Sequence, residues 1–216
     1  MKILKRIIMT ILLIVIWPIG LIFLVKSKIG IKKKIIIGVI TFIIFLVFWG
    51  AQFLMKYMEV KEEAQYMTMQ NKYIDNVINT SVENIKGYDK NKIYSSNKVI
   101  NYLANAYVYT INGENKIADA IQDKIDNKIS EKDFVKIINN EDRILTTFSD
   151  GAEELWHSGY LSKSDKYRSS IVSDSIDVLI DINKNFIIEG INSDTIKDFD
   201  VKTGEVSKIM KNVINN

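Results

Sequence analysis

From Ile7 to Val25 the chain runs 19 residues without a charged side chain, and from Ile35 to Leu54 it runs another 20. A helix rises about 1.5 Å per residue, so each run reaches about 30 Å, the thickness of a bilayer's hydrocarbon core. The pattern predicts two membrane spans, 7–25 and 35–54. The loop 26–34 between them carries five lysines and is short enough that the two helices must lie antiparallel as a hairpin. A cleaved signal peptide is the competing reading, since Lys2, Lys5 and Arg6 make a basic start. The first apolar run is too long for that, and Lys26-Ser27-Lys28-Ile29-Gly30 offers no small-residue cleavage pattern.

After residue 55 the apolar positions become sparser and fall at helical spacing. Between Met55 and Lys86 there is neither Gly nor Pro, and Val60, Ala64, Met67, Ile74, Ile78 and Ile85 predict a helix leaving the membrane. Asn71 and Ser81 interrupt that stripe, as polar residues do when they set register in a coiled coil; an ordinary bundle seam with polar interruptions is the preferred account. Gly87 reads as its stop. A second helix is predicted over 96–111, with Ile100, Leu103, Ala104, Tyr107 and Ile111 on one face, closed by an Asn112-Gly113 turn. A third follows over 114–127 on Ile117, Ile121 and Ile125.

Ser130 and Asp133 have the form of a capping box and open a fourth helix, carried by Phe134, Ile138, Leu145, Phe148, Ala152 and Leu155 towards Trp156 and stopped at Gly159. Ser164 or Asp165 caps a fifth, with Ile171, Val172, Ile176, Leu179, Phe186 and Ile187 inward and Gly190 closing it. Residues 192–199 read as a helical turn and 203–214 as a short final helix. The only rival to helix is the β-branched and aromatic run Ala106–Ile111. The expected fold is all-α: a two-helix transmembrane hairpin over 1–55 followed by a soluble helical bundle over 56–216, the latter one domain.

Charge divides the chain at the same place. Residues 1–55 hold eight of the 29 basic side chains and none of the 26 acids, the first of which is Glu59. The remainder therefore carries 21 basic residues against 26 acidic ones, and a net negative domain repels a phosphate backbone. No nucleic-acid partner is expected, despite a sequence pI of 8.8. Cysteine is absent, which excludes disulfides and thiolate chemistry. By the positive-inside rule the lysine loop stays cytoplasmic, which places the N terminus and the bundle on the outer side. Lys2, Lys5, Arg6, Lys56 and Lys61 oppose that orientation in equal number, but they are more spread out, and the last two stand among Glu59, Glu62 and Glu63.

Trp17-Pro18-Ile19-Gly20-Leu21, the lysine-rich loop and the second apolar run together resemble the N-terminal hairpin of uncharacterised membrane proteins of low-GC Gram-positive bacteria. The likeness covers about a quarter of the chain. It implies membrane anchoring and a host class, and it implies no activity. Pro18 itself, after Trp17 and before Gly20, reads as a packing kink against the second helix, with a hinge or pore element as the other reading.

Candidate chemistry is thin. His157 is the single histidine, next to Trp156 near a predicted helix end, where the helix dipole favours its charged form. Asp181, Asn183 and Asn185 imitate the start of a calcium loop, but Phe186 stands where glycine is required and Asn192 where the bidentate glutamate belongs. Asp198 and Asp200, near Gly204 and Glu205, fall equally short, and the adjacent Glu153 and Glu154 diverge on a helix. No phosphate-binding glycine loop, nucleophile elbow or zincin motif occurs. No catalytic, cofactor-binding or metal-ligating residue is assigned, and no cofactor is expected. The expectation is a non-enzymatic cell-membrane protein, two-pass, whose extracytoplasmic helical domain binds another envelope protein, a peptide, an envelope component or a second copy of itself. A sensor or regulator signalling through the helix continuous with the second span is the alternative.

Overall fold

The computed structural model describes residues 22, 24–89 and 92–215. Five long helices lie among the described residues: α1 (Ile31–Val82), α2 (Lys98–Ile125), α3 (Glu131–His157), α4 (Lys163–Ile188) and α5 (Ser193–Asn215). Among the described residues there is no strand, so Ala106–Ile111 is helical in spite of its composition. The chain divides into two compact units, Met1–Met67 and Thr68–Asn216, and α1 belongs to both. The expected first span lies outside the described residues apart from Ile22, Leu24 and Val25, and Trp17 and Pro18 lie outside them altogether.

In the first unit α1 begins at Ile31, earlier than the expected start of the second span, so Lys32, Lys33 and Lys34 belong to a helix and the connecting loop is shorter than 26–34. Gly30 makes the break, and its carbonyl accepts from the backbone N–H groups of Lys33 and Lys34. Lys34 Nζ donates to the carbonyl oxygen of Val25 at 2.6 Å, and a Cβ on Gly38 would stand 3.7 Å from Leu24 Cδ2. Ile35, Val39, Ile43, Val47, Phe53 and Leu54 are all exposed. The helix is long and apolar enough to cross a membrane.

In the second unit the last turns of α1 join α2 to α5 around an apolar core. Val77, which the apolar spacing missed, is fully buried beside Ile74, while Val60 and Met67 of the expected stripe stay exposed. α1 stops at Val82, short of Lys86, and Gly87 follows in the left-handed region at φ 84°.

Two expected breaks are absent. Asn112-Gly113 makes no turn, and α2 is a single helix through it. Gly113 faces α3, where an added Cβ would lie 3.4 Å from Glu141 Oε2, so the small residue serves close packing of two helices. The true stop of α2 is Asn127, at φ 58°, with Lys128 N–H donating to Asp123 O and Asn127 N–H to Lys124 O. This is the paired hydrogen bonding of a left-handed helix cap, with asparagine in the place glycine usually takes. Likewise 192–199 and 203–214 fuse into α5, because Phe199, Val206 and Met210 share one buried face and the exposed Gly204 between them does not interrupt it.

The caps of α3 and α4 follow local chemistry. Ser130 Oγ accepts from Asp133 N–H at 3.1 Å. Ser162, not Ser164 or Asp165, caps α4 and accepts from Asp165 N–H at 3.0 Å.

Candidate functional site

Along four helices the apolar core is interrupted at one level. A first cluster contains Ile74, Val77, Leu103, Ala106, Leu145, Phe148, Leu179, Ile180, Val206 and Met210. A second contains Ile117, Ile121, Phe134, Ile138, Ile182, Phe186 and Phe199. Between the two, α2 places Glu114, α3 places Asp142, α4 places Asn183 and α5 places Thr203.

Three of these residues are deeply enclosed, Asn183 at 0% exposed, Glu114 at 1% and Asp142 at 8%, while Thr203 is half-buried. Asn183 bridges the two acids, its Nδ2 donating to Glu114 Oε1 at 3.2 Å and to Asp142 Oδ1 at 2.8 Å. Three oxygen atoms at this level are buried without a hydrogen-bond partner, namely Glu114 Oε2, Asn183 Oδ1 and Thr203 Oγ1. Such orphans cost about 1–3 kcal/mol each, so the layer stands out from the packing above and below it.

Burial disfavours the ionised form of both acids. It pushes the Glu114 carboxyl up to about 7, with the charges of Asp142 and Glu141 adding to the effect and the Asn183 hydrogen bond opposing it. Asp142 is pushed up to about 6, again chiefly by burial, with Asn183 and Lys184 opposing and Asp181 and Glu141 adding. Glu141, beside the layer on α3, is answered by Lys116, whose Nζ lies 3.0 and 3.1 Å from its two oxygens. The arrangement can hold and release protons near neutral pH. Among the described residues no three His, Cys, Asp or Glu side chains converge to hold a metal ion.

A second polar contact crosses α3 and α4. Ser149 Oγ lies 2.9 Å from Ser173 Oγ and donates to Asp177 Oδ1 at 2.7 Å. Small hydroxyls here let the two helices approach closely, and the Asp177 carboxylate accepts the hydrogen bond of the Ser149 hydroxyl.

The residues that sequence spacing singled out are dispersed. His157 ends α3 with an exposed side chain, its ring 4.4 Å from that of Trp156 and its Nε2 3.7 Å from Glu153 Oε1. Asp181, Asn183 and Asn185 lie within helix α4 instead of a loop, so Asp181 points to solvent while Asn183 points to the core. Asp198 and Asp200 are exposed on α5, and Glu153 and Glu154 are exposed on α3. The buried layer escaped sequence reading because its members are separated by 28 and 41 positions and share no motif. The available signal was weak: Glu114 and Asp142 occupy inward positions of their helices, but so do Asn105 and Thr110 on α2 and Glu141 and Ser149 on α3, so polarity at an inward position does not single them out.

Comparison of the chain with protein-family models, with curated proteins and with solved structures finds no match.

Proposed function

We propose that this chain is a two-pass membrane protein whose hairpin anchors an extracytoplasmic helical domain, and that the domain works by binding another envelope protein instead of by catalysis. The observation that carries the reading is the length of α1. Its stretch 35–54 is apolar, and it then continues for about five turns in which Tyr57, Met58, Val60, Met67 and Met69 are exposed, before Ile74 and Val77 are buried. Lipid accounts for about 20 residues of such a helix and a bundle core for its end. The exposed methionines and tyrosine between them are the adaptable apolar groups that suit a protein partner. The hairpin part of the reading draws support from the chain reversal at Gly30, with Leu24 beside Gly38 and Lys34 tied to Val25. The outward orientation rests on the clustered lysines at that bend.

Two experiments test this. The chain has no cysteine, so Asp126→Cys, at the exposed end of α2, gives a unique label; modification by a membrane-impermeant maleimide on intact cells is expected. Labelling only after lysis would overturn the orientation. A photocrosslinker at Met58 is expected to trap a protein that the same group at Asp198 does not. His157→Ala should leave capture unchanged, and its loss in that variant would move the function to the histidine.

A second reading is favoured by the continuity of α1: a regulator in which the helix transmits a signal across the membrane. It requires a cytoplasmic partner, and crosslinking from Lys28 that captures none would remove it.

A further inference from the structure

We infer that the layer formed by Glu114, Asp142, Asn183 and Thr203 is a proton-binding site, with the proton held on the Glu114 carboxyl, and that its release loosens α2 against α3 and α4 at that level. The geometry carries this. An ionised Glu114 would keep one hydrogen bond, from Asn183 Nδ2 at 3.2 Å, and that nitrogen is shared with Asp142. Its other oxygen, Oε2, is buried with no donor. A proton on Oε2 converts an orphan acceptor into a donor in a layer where Asn183 Oδ1 is itself a buried acceptor without a partner. Binding one proton therefore removes one of two like charges and supplies a missing hydrogen-bond donor.

The surrounding charges do not offset ionisation. On α2 the nearby cation is Lys116, and it is engaged by Glu141 of α3. α3 adds the carboxylates of Glu141 and Asp142, α4 offers Asp181 with Lys184, which are paired with each other at 3.4 Å, and α5 contributes the hydroxyl of Thr203. The folded bundle binds the proton more tightly than the unfolded chain, since burial moves Glu114 from its ordinary 4.5 to about 7. The proton's stabilising effect is accordingly full below about 4.5 and is lost as pH rises through about 7, with Asp142 acting in the same sense between 3.8 and about 6. The layer separates the cluster that holds Ile74 and Val77 of α1 from the cluster around Phe134 and Phe186, so loosening it weakens the bundle between its two cores.

The test is hydrogen exchange on the full chain in detergent micelles between about pH 6 and about pH 8, corrected for intrinsic exchange rates. Amides in 110–118, 138–146 and 179–187 should lose protection by about tenfold, the effect of one proton over one pH unit. Glu114→Gln, neutral at every pH, should abolish that loss. Asp142→Asn, which removes the repelling charge, should shift the loss to lower pH while keeping it, and serves if the glutamine variant does not fold. An unchanged loss in Glu114→Gln, an unshifted one in Asp142→Asn, or none in the parent chain would overturn the inference. Protection restored at about pH 8 by sodium or calcium chloride in the parent but not in Glu114→Gln would make the layer a cation site and would equally overturn it. None of these outcomes depends on the orientation of the membrane hairpin or on a partner.

Discussion

Gly151 of α3 lies directly under the phenol of Tyr102, so close that a Cβ at that position would collide with the Tyr102 hydroxyl and with Ser81 Oγ. Tyr102 is 1% exposed and its hydroxyl donates to the Phe148 carbonyl at 3.2 Å, so it has nowhere to retreat. The contact joins α1, α2 and α3 at a point where no side chain fits.

Gly151→Ala should therefore destabilise the bundle by about 1–3 kcal/mol, the usual range for overpacking a filled core. Gly204→Ala should do the reverse. That glycine sits within α5 with nothing within 4 Å of an added Cβ, so alanine should stabilise by roughly 0.5–1 kcal/mol through helix propensity. Urea unfolding of the two variants followed by circular dichroism measures both, and equal signs would contradict the packing described.

Replacing the bridge is a separate experiment. Asn183→Leu removes both hydrogen bonds and leaves Glu114 Oε1 and Asp142 Oδ1 unpaired, with an expected loss of roughly 1–3 kcal/mol at neutral pH. Because the asparagine hydrogen bond holds the Glu114 carboxyl down, its removal should raise that group further. Stability should then keep falling to a higher pH before it levels off, which a series of thermal melts across the range will show.

Helix capping makes a third prediction. Asn97 Oδ1 accepts from Val99 N–H at 2.9 Å and from Ile100 N–H at 3.2 Å at the start of α2. Asn97→Ala should cost about 1 kcal/mol, and Asn97→Asp should retain most of the cap because the carboxylate accepts the same donors. Denaturant midpoints compared at one pH separate the two.

Much of this molecule was determined by local chemistry and was legible before any fold was known. Phe134, Ile138, Leu145, Phe148, Ala152 and Leu155 recur at helical spacing after a serine cap, and all six are buried on α3. The apolar run of 35–54 is likewise read from composition, since a helix that long and that greasy follows from hydropathy alone. Periodicity and capping are properties of a few turns, so sequence shows them directly.

What tertiary structure decided was the meaning of exceptions. Gly113 and Gly204 have the same letter as a helix stop, yet one is a close-packing site against Glu141 and the other an exposed residue carried by the helix around it. Asn127, with no glycine at all, is the real cap. The proton-holding layer is the extreme case: Glu114, Asp142 and Asn183 meet only because three helices align them at one height. Each is unremarkable in its own segment. Burial and partnership depend on which faces pack together, and that is settled by contacts distant along the chain.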